Sequence, residues 1–338
     1  MMASLFIVAS ASSSIGTGHL SRQFELARSA KAHGFDVFLF GSFSDAWLQS
    51  FSSKGVKCIP GSSFPTPDET LAKVRGLLLR PETTWIIRDN YGLRTDFNEY
   101  VSTEYGHFVE FDDMSKSGRT YEILVNPGLS QAGYRPEDDH LVNSGTAILG
   151  ASASIIRSEL RELRSVFSNL KPDGAFKGLV SFGYSDPTDA SSMLWDCSPS
   201  SVTSSWEYLL GPDYSGILKT GMAAKQKKTF ALEKFLGIEY FGYQLGIGAG
   251  GVSSYERAFC GIPSINFGLI ENQIGAASIL EENQAALFLS TIESKSVKSA
   301  VDRLTDISAW NSFRDAGMDL VDGLGAERLL IEIMGRMR

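Results

Sequence analysis

Short apolar runs that recur through the first half of the chain, each followed by a stretch of helical periodicity, limit its possible folds more than any other feature. The runs are Leu5–Ser10, Asp36–Phe40, Val56–Ile59, Thr84–Arg88, His107–Phe111, Ile123–Val125 and Ala147–Leu149. Parallel strands covered on both faces by crossover helices read in this way. Between the first two runs, Leu20–Ala32 carries its apolar residues on one helical face, and Gly34 supplies a stop just after it. The pattern predicts a βαβ series, hence an α/β fold.

A chain of 338 residues is too long for one ordinary core and suits two α/β domains of roughly 150 residues each. A polar, helical stretch from Ser154 to Asn169 ends at the turn-rich Lys171-Pro172-Asp173-Gly174, which predicts domains over 1–165 and 175–338. The second half restarts with a strand at Lys177–Phe182, followed by a helix entered at Ser185-Asp186-Pro187. Further strands are expected at Ser205–Leu210, Tyr243–Ile247, Ser264–Phe267 and Ala285–Leu287, with closing helices at Ser294–Leu304 and Gly325–Met334.

The apolar fraction of 43% and charged fraction of 21% are those of a globular protein, and a net charge of −8 argues against broad capture of nucleic acid or anionic membrane. Cys58, Cys197 and Cys260 show no CxxC spacing, which argues against a disulfide framework and a zinc site and for a reducing, cytoplasmic setting. The run from Leu5 to Ala11 lacks preceding basic residues and is too short for a signal sequence, and no stretch approaches the roughly 20 apolar residues that span a bilayer.

In open parallel sheets, ligands bind beyond the carboxyl ends of the strands. After the first strand comes Ser12-Ser13-Ser14-Ile15-Gly16-Thr17-Gly18-His19, a run of small residues that ends on a histidine. It is not a dinucleotide fingerprint, since Ser21 stands where the third glycine would, and not a P-loop, since no Gly-Lys-Ser/Thr follows. His19 is either a plain helix-start residue or a general base, and a helix N-terminus favours the neutral imidazole that a base requires. His33, His107 and His140 read as structural. Asp89-Asn90-Tyr91-Gly92-Leu93 follows the fourth strand and offers the Tyr91 hydroxyl to a substrate, while Asp112-Asp113 tempts a metal reading that no further ligand supports.

The second half holds a strand end, a glycine turn and a helix start in Gly246-Ile247-Gly248-Ala249-Gly250-Gly251-Val252-Ser253-Ser254-Tyr255-Glu256. Bare amides and a helix dipole suit a diphosphate. Glu256 has two readings, a ribose ligand or the partner of Ser253 in a capping box. Glu271-Asn272-Gln273 places two side-chain amides, able to read sugar hydroxyls, at another strand-to-helix loop.

Taken in order, Ile15-Gly16-Thr17-Gly18-His19, Asp89-Asn90-Tyr91-Gly92-Leu93, Asp112-Asp113, Ser181-Phe182-Gly183-Tyr184-Ser185-Asp186-Pro187, Gly248-Ala249-Gly250-Gly251 with Glu256, and Glu271-Asn272-Gln273 resemble one group. That group is the UDP-sugar hydrolases of pseudaminic acid biosynthesis, with relatives in spore-coat and flagellin glycan pathways. The resemblance covers nearly the whole chain and implies a GT-B type fold, two Rossmann-like doubly wound domains facing an interdomain cleft. It implies inverting, metal-independent hydrolysis of a UDP-linked diacetamido trideoxy hexose, with no cofactor.

The chain is similar also to the lipid II glycosyltransferases. The candidate catalytic residues are His19 and Tyr91; the candidate substrate and nucleotide residues are Gly16, Gly18, Arg22, Ser185, Gly250, Gly251, Ser253, Glu256, Asn272 and Gln273. Tyr184 stands where the group usually has glycine, and Met114-Ser115-Lys116 alters the basic character that follows its aspartate pair. The expected partner is a UDP-sugar, without nucleic acid or an integral membrane segment. Two alternatives stay open: a GT-B transferase that moves the sugar to a hydroxyl acceptor, and a non-catalytic nucleotide-sugar binding protein. Few lysines accompany Phe43, Trp47 and Phe51, which favours the hydrolase over a membrane-facing transferase.

Overall fold

A computed structural model of the chain describes residues 3–11, 17–90, 92–93, 96–114, 118–168, 172, 176–197, 206–211, 213–216, 227–229, 240 and 242–337. The chain divides into two compact units, one of Met1–Ile155 with Leu324–Arg338 and the other of Ile156–Gly323. The division falls before the 171–174 turn expected to mark it, and the closing helix returns to the first unit, a long-range choice that local composition does not encode.

Among the described residues, the first unit holds a parallel sheet of seven strands, β1 (Ser4–Ala9), β2 (Asp36–Gly41), β3 (Lys57–Pro60), β4 (Thr84–Asp89), β5 (His107–Phe111), β6 (Thr120–Asn126) and β7 (His140–Leu149). Their order is β3-β2-β1-β4-β5-β6-β7. Its helices are α1 (Gly18–Ala32), α2 (Asp45–Ser53), α3 (Pro67–Gly76) and α4 (Phe97–Ser102). Both faces of the sheet are buried, and the period of two shows directly. Leu5 and Ile7 join Leu26, Ala27 and Leu329 in one cluster, while Phe6 and Val8 join Leu71, Val74 and Phe97 in the other.

The second unit has α5 (Ser158–Glu162) and α6 (Arg164–Phe167) where one longer helical stretch is expected, then β8 (Gly178–Ser181), α7 (Ala190–Cys197), β9 (Trp206–Leu210) and β10 (Lys227–Thr229). There follow β11 (Leu245–Ala249), α8 (Val252–Phe259), β12 (Ser264–Phe267), α9 (Glu271–Glu282), β13 (Leu287–Leu289), α10 (Ser294–Leu304) and α11 (Ile307–Leu320). The described strands form a parallel sheet in the order β10-β9-β8-β11-β12-β13. The last helix, α12 (Gly325–Arg336), packs Ala326, Leu329, Leu330 and Ile333 into the core of the first unit. Arg336 fastens it there, donating to the buried Glu122 at 3.1 Å and to the Asn143 carbonyl at 2.9 Å. Among the described residues, no helix is long and apolar enough to cross a membrane.

One carboxyl in this core is out of its usual range. Glu110 on β5 is buried, accepts from Asn98 Nδ2 at 2.8 Å and lies 3.6 Å from Arg88. Burial pushes it up from 4.5 to about 7, and Arg88 and Asn98 offset only part of that rise. Between about pH 4.5 and 7 the folded chain therefore holds a proton that the unfolded chain has released. The contribution of Glu110 to folding is full below this window and is lost as pH rises through it. Glu110→Gln is expected to flatten the fall in Tm across the window; a curve parallel to that of the wild type would count against this assignment.

Candidate functional site

Each sheet reverses its strand order once, between β1 and β4 and between β8 and β11. At such a reversal the two neighbouring crossovers leave on opposite faces and open a crevice at the carboxyl edge. Of the described candidates, His19 and Arg22 lie at the first place and Ser185, Gly250, Gly251, Ser253 and Glu256 at the second, whereas Asn272 and Gln273 follow β12.

In the first unit, β1 leads to α1, whose second residue is His19, and β4 ends on Asp89, in register with Ala9 at the end of β1. His19 and Asp89 are both buried, and their Nδ1 and Oδ1 atoms are 2.5 Å apart. Asp89 accepts further bonds from Arg22 Nε at 2.7 Å, Arg22 Nη2 at 2.5 Å and Gln23 Nε2 at 2.8 Å. Burial alone would raise its carboxyl. The charges of Arg22 and His19, with the hydrogen bonds both donate, outweigh burial and hold it well below the usual carboxylate range. A carboxylate only accepts, so in the neutral ring Nδ1 carries the hydrogen and Nε2 is the acceptor. The contact of 3.3 Å between Arg22 Nη2 and Nδ1 is then proximity, since both are donors.

Arg22 is itself fixed from the far side. Its Nη1 donates to both oxygens of Asp113 at 2.8 and 2.7 Å, and its guanidinium carbon lies 5.1 Å from the Phe111 ring centroid. Asp112 turns the other way, accepting from Arg119 Nη1 at 2.7 Å and from the amide of Met114 at 2.8 Å. The aspartate pair is thus divided between two arginines. No group of three or more His, Cys, Asp or Glu able to hold a metal occurs among the described residues. Gly18 opens α1 and is exposed, whereas Gly16 and Tyr91 lie outside the described residues.

In the second unit, β11 runs through Gly250 to Gly251, the N-cap of α8. No side chain caps this helix, which corrects the capping-box reading of Ser253 and Glu256. The helix begins at Val252, so Ser253 already lies inside the first turn and Glu256 is a turn further on. Glu256 points instead to Arg157, which donates to its two oxygens at 2.6 and 2.8 Å; Tyr240 donates from 3.5 Å.

The glycines of this turn differ in what requires them. A Cβ on Gly246 or Gly248 would stand 2.5 Å from Arg257 Cδ or 2.0 Å from the Ser181 carbonyl oxygen, and one on Gly250 would stand 2.6 Å from the Gln273 carbonyl oxygen. These three are demanded by packing. The first two make room for Arg257, a buried guanidinium that donates to the Ala249 carbonyl and Asn266 Oδ1 and that burial lowers from its usual range. Gly251 is different: a Cβ there meets nothing within 4 Å, and its φ of −89° does not call for glycine.

The neighbouring loop after β8 carries Ser185, half-buried, between Gly183 at φ 97° and Asp186 at φ 42°. The cost of that left-handed aspartate is offset by its carboxylate, which accepts from the amides of Ala190 and Ser191 at 2.9 Å and so caps α7 from a distance. On α9, Gln273 Oε1 accepts from the Leu269 amide at 3.2 Å, and Asn272 is half-buried one residue before it. Sequence reading did not single out Asp89, Asp113 or Arg157 as functional side chains. A signal existed for Asp89, which ends the strand beside β1.

No family model and no curated protein matches the sequence. In structure, the chain is similar to MurG of Acinetobacter baumannii, with a TM-score of 0.65 and 10% identity over 99% of this chain and 100% of that one. It is similar to Anabaena Alr3699/HepE solved with UDP and glucose, with a TM-score of 0.62 and 14% identity over 99% and 100% of the two chains. It is similar also to the spinosyn rhamnosyltransferase SpnG solved with thymidine diphosphate, with a TM-score of 0.61 and 12% identity over 98% and 100%. The fold is the GT-B fold of glycosyltransferases. The likeness does not single out the hydrolase that the order of motifs resembles.

Two outcomes are expected from this geometry. Nitrogen-15 NMR of the histidines should find His19 protonated at Nδ1 and bare at Nε2 in the neutral ring; a dominant Nε2–H form would contradict the bond to Asp89. Gly248→Ala should cost about 1–3 kcal/mol or more through overpacking, whereas Gly251→Ala should leave stability within about 1 kcal/mol. Chemical denaturation of both variants measures the contrast, and equal losses would refute it.

Proposed function

We propose that the chain is an enzyme that moves a sugar from a UDP-sugar donor to a hydroxyl acceptor. The observation that carries this reading is the buried His19–Asp89 pair at the first strand reversal, which leaves Nε2 as a proton acceptor. The nucleotide is assigned to the second unit, its diphosphate on the amides of the turn at Gly250–Gly251 and its ribose on Glu256. Arg22, Gly16, Gly18, Ser185 and Ser253 are assigned to the same substrate, with Tyr91, Asn272 and Gln273 on its sugar side. The similar structures of Anabaena Alr3699/HepE with UDP and glucose and of SpnG with thymidine diphosphate support a nucleotide-sugar donor.

In this mechanism the acceptor hydroxyl gives its proton to His19 Nε2 while its oxygen attacks the anomeric carbon. The bond from that carbon to the diphosphate oxygen breaks, and UDP leaves with the electron pair. Attack opposite the leaving group inverts the anomeric centre. The Asp89 carboxylate, in contact with Nδ1, meets the positive charge that His19 acquires. On the leaving side, backbone amides and the dipole of α8 stabilise the diphosphate.

Hydrolysis, with water in place of the acceptor, is the second reading, and the motif order shared with UDP-sugar hydrolases supports it. Incubation with a panel of UDP-sugars, with and without hydroxyl acceptors, separates the two. Acceptor-dependent UDP release supports transfer, and free reducing sugar without acceptor supports hydrolysis. UDP binding without turnover would leave a binding protein. His19→Asn should lower kcat by roughly 10² to 10⁴ while UDP affinity stays close to that of the wild type; a folded variant with normal turnover would sink the assignment of the base.

A further inference from the structure

Arg157 is the least expected participant at the second strand reversal. It belongs to the segment just before α5, 99 residues from the glutamate it binds, and its side chain is 16% exposed against 6% for Glu256. The contact is a fork, with Nε on Oε1 at 2.6 Å and Nη2 on Oε2 at 2.8 Å. Burial alone would lower the guanidinium, and the charge and hydrogen bonds of Glu256 raise it above its usual value. A fork of this kind fixes the plane of a carboxylate as well as its position.

A carboxylate offers about four lone-pair positions, and the fork occupies one on each oxygen. The second position on each oxygen faces away from the guanidinium. Tyr240 donates to Oε2 from 3.5 Å. Two hydroxyls on adjacent carbons of a ribose present donors at a spacing that such a pair of oxygens accepts. The similar structures leave the sugar of the nucleotide open, since one holds UDP and another thymidine diphosphate, which lacks the ribose 2′-hydroxyl.

We infer that Arg157 is a positioning residue that sets the preference of this chain for ribose over deoxyribose nucleotides, by holding the Glu256 carboxylate in the plane that accepts both ribose hydroxyls. The inference rests on the assignment of Glu256 to the ribose. A purely structural ion pair would change affinity for both kinds of nucleotide alike. A positioning pair changes the ratio between them.

The test is calorimetric titration of the whole chain with UDP and with 2′-deoxy-UDP. The wild type is expected to favour UDP about tenfold or more, the scale of one hydrogen bond to a charged group, and Glu256→Gln is expected to bring the ratio close to one. Arg157→Met should reduce the ratio severalfold, and Arg157→Lys, which keeps the charge without the fork, should fall between. Because Arg157→Met leaves a buried carboxylate unpaired, the double variant Arg157→Met with Glu256→Gln is included, expected to recover stability and to show no ribose preference. An unchanged ratio in Arg157→Met or Arg157→Lys, with both nucleotides weakened equally, would overturn the inference and leave the Glu256 assignment standing. Tighter UDP binding in Arg157→Met would also overturn it, by showing that arginine and ribose compete. A ratio of one in the wild type, or one unmoved by Glu256→Gln, would defeat the assignment of Glu256 and the inference with it.

Discussion

A parallel sheet buried on both faces must send its crossovers to both sides, and where the strand order turns back, two neighbouring loops diverge. In this chain the turning points lie between β1 and β4 and between β8 and β11. His19 lies at the first of them and the Gly250–Gly251 turn at the second. The first brings the start of α1 beside the end of β4, and so joins His19 to Asp89 across 70 residues of sequence. The second brings the glycine turn before α8 beside the loop that follows β8. The folding requirement that covers the sheets with helices is thus the one that creates the places where substrate groups are expected.

Charge is buried at both turning points, and in each case it is matched locally. Asp89 would be costly in a site with no exposure, yet Arg22, Gln23 and His19 surround it, and Asp113 in turn holds Arg22. The arrangement fixes the imidazole through its Nδ1 atom. Glu256 is matched by the fork from Arg157, and Arg257 donates to neutral oxygens of Ala249 and Asn266. These side chains have little freedom to reorient, and a bound substrate would meet a frame already in place.

Much of this was legible in the sequence because a uniformly apolar run of strand length fits little besides a strand covered on both faces. The strands at Asp36, Thr84, His107 and Ser264 begin where the pattern places them. β10, three residues with two lysines, has no apolar run and left no trace to read. The expected helix over 154–169 is two short helices, since a polar stretch states helical preference without saying where it breaks. At the site, the glycine turn and His19 were visible as local motifs, whereas the partners of His19 and Glu256 were not. Asp89 and Arg157 are ordinary residues at their own positions and acquire meaning only from contacts that span 70 and 99 residues. The capping-box alternative has the same origin: the spacing of Ser253 and Glu256 fits, but the helix starts two residues earlier than the box requires.

The return of α12 to the first unit bears on how the chain matures. As the polypeptide is made from its amino end, residues 156–323 are all present before 324–338, so the second unit has its whole sequence while the first still waits for its last helix. Until then the apolar cluster that receives Ala326, Leu329, Leu330 and Ile333, which includes Leu26 and Ala27 of α1, is incomplete. The unit that begins the chain is therefore the last to close its core. A nascent chain stalled before residue 324 would present that incomplete cluster to chaperones, with its amino-terminal sheet assembled and its partner unit already whole.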